Sequence, residues 1–390
     1  AWITLVLGSA IASQGAADSG AERVYEAEEV LVTDNRLPGD SSPVTRLPVP
    51  LESVPASVNV VPGELADEQG GVVLADALRN VSGANVQTGF GVFDFFIIRG
   101  FDSLSNGLVL SDGIPEPEVS FYHLYNVDQV EVLKGPGAFL YGGNPLSSTV
   151  NLAAKKPAFE PSFPRLEALT GSFDTYGGSI DLGRSDERRG MALRVNGMWR
   201  RSANYRDDKD NAVFALSPTL RWRLSDHTTV DYSFEYVTSE YKTDSGLPVV
   251  GNAVSGVPRK RSFQSPFDAS DQTTYRIRVD VETALSSGFS LHNRTFCTDF
   301  DWQSSGTVFN AVFPNATGSQ DILRSQLVLD DHQTLVGNRL ELHGVAGAAG
   351  FRHTFVSGLE VGRMSDEFDL DVGVLPHIDL FAPQETATNS

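Results

Sequence analysis

The most regular feature of the chain is a period-two alternation of apolar and polar residues in its second half. Phe214, Leu216, Pro218, Leu220, Trp222 and Leu224 alternate with Ala215, Ser217, Thr219, Arg221 and Arg223. The pattern recurs: Met191, Leu193, Val195 and Trp199 alternate with Arg194, Asn196 and Arg200, and Val230, Tyr232, Phe234 and Tyr236 with Asp231, Ser233 and Glu235. Tyr275, Ile277, Val279 and Val281 alternate with Arg276, Arg278, Asp280 and Glu282. Side chains of a strand point alternately to its two faces, so each segment predicts a strand with one apolar and one charged face. About nine such strands fit between residues 163 and 364.

A soluble antiparallel sandwich alternates in the same way, and stands as the alternative to a membrane barrel on periodicity alone. Length and loop asymmetry favour the barrel. Several strands reach about ten residues or more, the length needed to cross a bilayer at a tilt. Their connections alternate between short (residues 183–190, 225–227 and 286–288) and long (202–211, 242–271 and 303–320), as in barrels with short turns on one side of a membrane and long loops on the other. Trp199, Tyr205, Tyr241 and Trp302 near strand ends suit an interfacial girdle. Closed single-chain barrels of this kind carry even strand numbers, so an odd count followed by Thr-Ala-Thr-Asn-Ser predicts that the C-terminal strands of the barrel lie beyond this chain.

Residues 54–157 have a different texture. Val58 to Val61 reads as a strand, residues 63–70 and 74–78 as short helices, and residues 95–99, 108–110 and 127–133 as further short strands between Gly and Pro turns. This is a small α+β domain. Ahead of it, residues 18–53 are polar, acidic and Pro-bearing, an extended tether broken by the apolar Val30-Leu31-Val32. Residues 1–17 open with an apolar stretch of signal-peptide length ending in small residues, and are expected to be the remnant of a secretory signal.

Composition narrows the function. At 41% hydrophobic and 21% charged residues the 390-residue chain is not disordered, and a net charge of −20 argues against nucleic acid as a partner. The single cysteine, Cys297, excludes an internal disulfide or a thiolate metal cluster. Seven scattered histidines form no metal-binding motif, and no Gly-x-Ser-x-Gly elbow occurs, so no catalytic residue, metal site or cofactor is expected and the chain is read as not an enzyme. Residues 137–142 have the glycine spacing of a P-loop, but Gly143-Asn144 stands where Lys-Ser/Thr should follow. Gly135, Pro136, Gly137, Gly142 and Gly143 are read instead as a chain reversal.

Several words of the α+β domain, in order, resemble the plug of TonB-dependent siderophore receptors. They are Val54-Pro55-Ala56-Ser57-Val58-Asn59-Val60-Val61, Leu74-Ala75-Asp76-Ala77-Leu78-Arg79-Asn80-Val81-Ser82-Gly83 and Ile97-Ile98-Arg99-Gly100-Phe101. Leu110-Ser111-Asp112-Gly113-Ile114-Pro115, Val130-Glu131-Val132-Leu133-Lys134-Gly135-Pro136 with Leu140-Tyr141-Gly142, and the closing Val150-Asn151-Leu152 to Pro157 follow. Residues 352–360 resemble a barrel strand of the same family, whereas Asn144 to Thr149 departs from the usual Gly-Gly pair.

The resemblance implies an outer-membrane transporter: an α+β plug (54–157) followed by antiparallel transmembrane barrel strands (158–390) of an incomplete barrel, importing a ferric siderophore with iron carried only as ligand. A receptor for haem, cobalamin or an oligosaccharide on the same scaffold is the alternative within transport, and an outer-membrane adhesin or enzyme the alternative outside it. Glu29, Val30, Leu31, Val32 and Thr33 then correspond to the TonB box, a short β-prone segment suited to adding to a sheet edge of TonB, the partner driven by the inner-membrane energy-coupling complex. Its nearness to the expected signal cleavage leaves no room for an additional signalling domain. Arg99, Glu131 and Lys134 are placed by the resemblance where the plug meets barrel carboxylates. Phe93, Phe95, Phe121, Tyr122 and His123, in plug segments on the extracellular side, are candidates for an aromatic ligand pocket. The remaining partner implied is outer-membrane lipid.

Overall fold

The computed structural model describes residues 56–89, 93–116, 121–135, 147–160, 164–286, 288–348 and 351–386. The signal remnant, the tether and its TonB-box segment lie outside the described residues.

The α+β domain comprises β1 (Ser57–Pro62), α1 (Gly63–Glu68), α2 (Leu74–Leu78), β2 (Ala84–Gly89), β3 (Phe93–Ile98), β4 (Phe101–Asp102), α3 (Ser103–Asn106), β5 (Gly107–Ser111), β6 (Ile114–Pro115), β7 (Val127–Lys134) and β8 (Ser148–Ala154). Its main sheet runs β1-β7-β8-β5-β6, with β5 and β8 parallel, and β2-β3-β4 form a second, smaller sheet. Val130, Val132, Val150 and Leu152 at the centre of the main sheet are buried against Leu74, Ala77, Leu78 and Ile98 in one apolar core. Residues 111–114 form a two-residue hairpin turn in which Asp112 (φ 50°) and Gly113 (φ 80°) are both left-handed. That backbone matches the twist of paired strands and selects Asp-Gly, so the Asp-Gly word has a direct physical cause.

The second half is one antiparallel meander of nine strands. It runs through β9 (Arg165–Gly171), β10 (Thr175–Asp186), β11 (Met191–Ala203), β12 (Asp210–Arg223) and β13 (Thr228–Tyr241). A small hairpin, β14 (Val249–Val250) and β15 (Ala253–Val254), interrupts the order before β16 (Ala269–Ser286), β17 (Phe289–Pro314), β18 (Gln320–Ala348) and β19 (Phe351–Asp379). Burial shows which way the faces point. Phe214 is 42% exposed beside Ala215 at 0%, and Ile277 is 52% exposed beside Arg278 at 5%. The apolar face looks outward and the polar face is buried against the α+β domain, the reverse of a soluble sandwich and the arrangement that lipid demands. Aromatic rings bracket the outward apolar band: Phe214, Tyr236 and Tyr275 form a chain of ring contacts at one level, and Phe289 meets Phe355 near the short turns. On β12 the nine residues from Phe214 to Trp222, eight steps along the strand, span roughly 27 Å, close to the thickness of the apolar layer.

Two expectations are corrected. Residues 303–320 are not a long loop: β17 continues to Pro314, β18 begins at Gln320, and the pairing runs unbroken from Gln303↔Asp330 to Pro314↔Gln320 apart from one bulge near Asn310. The run Gln303-Ser304-Ser305-Gly306-Thr307 has no apolar side chain, so alternation lapses there while the hydrogen-bond ladder continues. The last strand extends to Asp379 rather than ending near Met364, and its period-two alternation continues there, with Phe368, Leu370 and Val372 between Glu367, Asp369 and Asp371. The excursion between β13 and β16 is held down by a core of its own. Val257 and Phe263 pack on Ile322, Ile378 and Leu380, and the fully buried Arg324 donates to the carbonyls of Phe263 (2.9 Å) and Pro376 (2.8 Å) and to Glu385 (2.7 Å).

Inside the barrel wall, Gly337 pairs directly with Phe296, whose buried ring lies over the position that a Cβ would take. Gly337→Leu is therefore expected to block closure of β17 on β18, read as loss of the heat-modifiable folded band on gels. Adding Phe296→Ala should restore much of that band, because it empties the space the new side chain needs.

Candidate functional site

The Asp112-Gly113 turn is the point at which the plug-like domain meets the wall. Arg278 Nη1 donates to Asp112 Oδ2 at 3.2 Å, Arg294 Nη1 donates to the Asp112 carbonyl, and Arg339 Nη1 donates to the Gly113 carbonyl at 2.8 Å. The turn is fixed from behind by its own domain: Asp112 Oδ1 accepts from the Ala154 N–H at 3.0 Å, and the Gly113 N–H donates to Asn151 Oδ1 at 2.7 Å. Burial opposes ionisation of Asp112, but Lys156, Arg278 and Arg294 outweigh it and hold the carboxyl below its ordinary pKa.

Glu116, three residues on, is the second anchor. Its side chain is 1% exposed and accepts from Arg276 Nε at 2.7 Å and Arg278 Nη2 at 3.2 Å. Arg276 also bonds Glu235 of β13 at 3.0 Å, and the other oxygen of Glu235 accepts from Tyr125 Oη (2.9 Å) and Asn126 Nδ2 (3.0 Å). The phenol of Tyr125 is pushed well above its usual pKa by burial and by the Glu235 charge, so it stays a donor. Four strands of the wall, β13, β16, β17 and β18, thus present charged groups to one small stretch of the plug-like domain.

His123 continues this line of contacts, its Nε2 lying 3.0 Å from Ser239 Oγ. Burial lowers its pKa to about 4, which keeps the ring neutral at ordinary pH. Above it, toward the long connections, a cavity of about 450 Å³ is lined by Phe121, His123, Tyr241, Asp94, Arg200 and Lys209. Phe121 meets Tyr241 edge-on at 5.1 Å, Phe93 meets Trp302 edge-on at 6.4 Å, and Phe95 lies 6.3 Å from Phe93. Tyr122 instead packs on the core of its own domain. Phe93 and Phe121 thus lie against barrel aromatics, Phe95 lies beside Phe93, Tyr122 turns inward, and His123 is engaged with the wall. On the other side of the Asp112-Gly113 turn, toward the short turns, a larger cavity of about 1040 Å³ is lined by Arg221, Arg294, His292, Arg339 and His343. The domain separates the two spaces.

Arg99, Glu131 and Lys134 lie elsewhere. Arg99 (φ 55°) donates to the Lys134 carbonyl at 3.4 Å, and the Lys134 ammonium donates to the Ser82 carbonyl at 2.6 Å. Glu131 is fully buried and accepts from Gln129 at 2.7 Å and Asn151 at 3.0 Å. These bonds brace the plug-like domain internally. Among the described residues the strongest contacts with the wall have the opposite polarity to the expected one, plug-side carboxylates on wall arginines. Sequence reading missed Asp112 and Glu116. The available signal was an Asp-Gly turn flanked by Pro115-Glu116 together with arginines on the polar face of a strand. The described residues hold no group of three or more potential metal ligands.

Glu116→Gln should weaken seating of the domain by about 3–5 kcal/mol, since it leaves two buried guanidinium groups short of a carboxylate. Protease cleavage within the domain in intact outer membranes should rise accordingly. The His123 contribution has a definite sign: a folded pKa of about 4 against 6.5 unfolded makes its stabilisation full above pH 6.5 and lost as pH falls toward 4. His123→Gln should flatten the fall in thermal stability across that window.

Residues 50–149 match the TonB-dependent receptor plug domain family. The metal-pseudopaline receptor of Pseudomonas aeruginosa is 28% identical over 74% of this chain and 45% of its own length. The ferrioxamine B receptor of Salmonella typhimurium is 24% identical over 95% of this chain and 54% of its own. Among solved structures, the ferric-catecholate import receptor Fiu of Escherichia coli superposes with a TM-score of 0.79 at 22% identity, covering 89% of this chain and 55% of that one. The siderophore receptor PiuA of Acinetobacter baumannii gives 0.80 at 19% identity, covering 89% and 54%. The chain spans about half the length of the curated relatives it matches. Residues 50–149 thus carry a TonB-dependent receptor plug domain, and the chain as a whole, a plug seated on the inner wall of a partial barrel, is similar in sequence and in fold to TonB-dependent siderophore receptors.

Proposed function

We propose that the chain is the plug and leading wall of an outer-membrane receptor that imports a ferric siderophore into the periplasm. The observation that carries the reading is the plug held across the lumen by the Asp112 and Glu116 contacts, with an aromatic-lined cavity on one side and a larger polar one on the other. Such a barrier needs a gate. Ligand arriving from outside meets Phe93, Phe95 and Phe121, and the Glu29–Thr33 segment offers TonB a strand to pull from the periplasmic side. The energy-coupling complex of the inner membrane then supplies the work that breaks the arginine contacts. Relatives named for ferrioxamine B and catecholate ligands support a ferric chelate as cargo, and the metal-pseudopaline receptor keeps chelates of other metals as the second reading. Outer-membrane lipid would contact the outward apolar band, and no catalytic step is assigned.

The test is uptake of radiolabelled iron chelate by cells carrying the full gene. Leu31→Pro, which removes a backbone donor and the extended geometry of the coupling strand, should abolish uptake while leaving binding at the cell surface intact. Uptake that survives this change overturns the coupling role. Expression that rises under iron starvation supports iron, and expression that rises under limitation of another metal transfers the reading to that metal's chelate.

A further inference from the structure

The cavity of about 450 Å³ holds two cations with nothing bonded to them. Lys209, in the connection between β11 and β12, is 6% exposed, and Arg200 lies on the inward face of β11. Both line the cavity, and among the described residues neither makes a hydrogen bond or an ion pair. Burial lowers the pKa of Lys209, and the carboxylates that attract it, Asp268 and Asp244, are already committed. Asp268 accepts from Thr243 (2.9 Å) and twice from Thr307 (2.8 and 2.7 Å), and Asp244 accepts from Arg206 Nε at 2.8 Å.

The other acids lining the cavity are engaged as well. Asp210 pairs with Lys242 at 3.6 Å, and Asp76 accepts from the Val72 N–H at 3.0 Å and pairs with Arg79 at 3.4 Å. Asp94 accepts from Thr88 at 2.8 Å, and burial raises its pKa, away from full charge. Glu240 lies on β13 between the inward-facing Ser239 and Tyr241 and so belongs to the outward face. A buried ammonium that no described carboxylate approaches to ion-pair distance is only partly compensated by the more distant Asp268 and Asp244, and an incoming anion in direct contact lowers the remaining penalty.

We propose that Lys209 and Arg200 form an anion-receiving site, so that the cargo of this receptor is a metal chelate of net negative charge, its arms resting on Phe121 and Tyr241. The proposal rests on the receptor reading above and adds to it the charge class of the ligand. Neutral or cationic chelates gain nothing from the two cations and are disfavoured by them.

The experiment compares two iron(III) complexes of similar size, a hexadentate tris-catecholate of charge 3− and an uncharged trihydroxamate, binding to receptor expressed from its full gene in outer membranes. Wild type should hold the tris-catecholate more tightly, with an affinity that falls as salt rises. Lys209→Gln and Arg200→Gln should each weaken it about tenfold while moving the trihydroxamate by less than about twofold, and Lys209→Arg should keep most of the affinity. Heat-modifiability reports folding of each variant, and Arg200→Gln with Lys209→Arg keeps the comparison open if Lys209→Gln does not fold. Equal losses for both complexes, no loss for either, or a wild-type preference for the uncharged complex overturns the anion site alone. Wild-type receptor that neither binds nor imports any metal chelate overturns the receptor reading and the anion site with it.

Discussion

The structure depends on one constraint: a barrel whose outer face is apolar must turn its polar face inward, where something has to satisfy it. Arg276, Arg278, Arg294 and Arg339 project from three neighbouring strands into a lumen in which an unpaired guanidinium is costly. The plug meets that requirement with one hairpin turn and one glutamate. Asp112 and Gly113 offer a carboxylate and two carbonyls, and Glu116 offers a second carboxylate, so wall and plug each complete the other. The contact is polar rather than greasy, and this matters for a part that has to move. Apolar packing is non-directional and tolerates sliding, whereas charge-assisted bonds are short-ranged and fail together once the geometry is lost.

How much of this was legible in the sequence follows from the range of each interaction. Period-two alternation is local, and the strands carrying Phe214, Tyr232 and Ile277 are where it places them. The Asp-Gly turn is local too. Alternation is blind to which face points in, and only the exposure of Phe214 and Ile277 beside the burial of Ala215 and Arg278 separates lipid from core. Residues 303–314 read as loop because the run Gln303 to Thr307 has no apolar side chain to carry the alternation, although the backbone pairs throughout. The ion pairs that seat the plug were out of reach for a different reason. Glu116 and Arg276 are 160 positions apart, and nothing in either neighbourhood names the other.

Local chemistry also misled in both directions. The resemblance puts Arg99, Glu131 and Lys134 where plug meets barrel carboxylates, and the bonds that the structure describes for them lie within the plug-like domain, around β7. Lys209 reads as one charge in the long connection of residues 202–211, yet it is buried, while the adjacent Asp210, which lines the same cavity, pairs with Lys242. Charge in a loop carries no information on burial until the loop is folded against a wall. Arg324 makes the same point, since a strand arginine has no sequence mark to show that it is the buried clamp of a distant excursion.

The aromatic cavity and the arginine contacts are not independent sites. Phe121 and His123 line the cavity, and Tyr125 and Asn126, the next residues along the same strand-free segment, hold Glu235, which in turn shares Arg276 with Glu116. On the wall the same economy holds. Ser239 and Tyr241 meet the cavity and Glu235 meets the plug anchor, six residues or roughly 20 Å along one strand. Within the plug-like domain the link is shorter: Tyr125 and Asn126 form a turn closed by the Val127 N–H on the Leu124 carbonyl at 3.0 Å, directly after His123 and Leu124. Cavity lining and plug anchor are therefore joined twice, through one short stretch of the plug-like domain and through one strand of the wall.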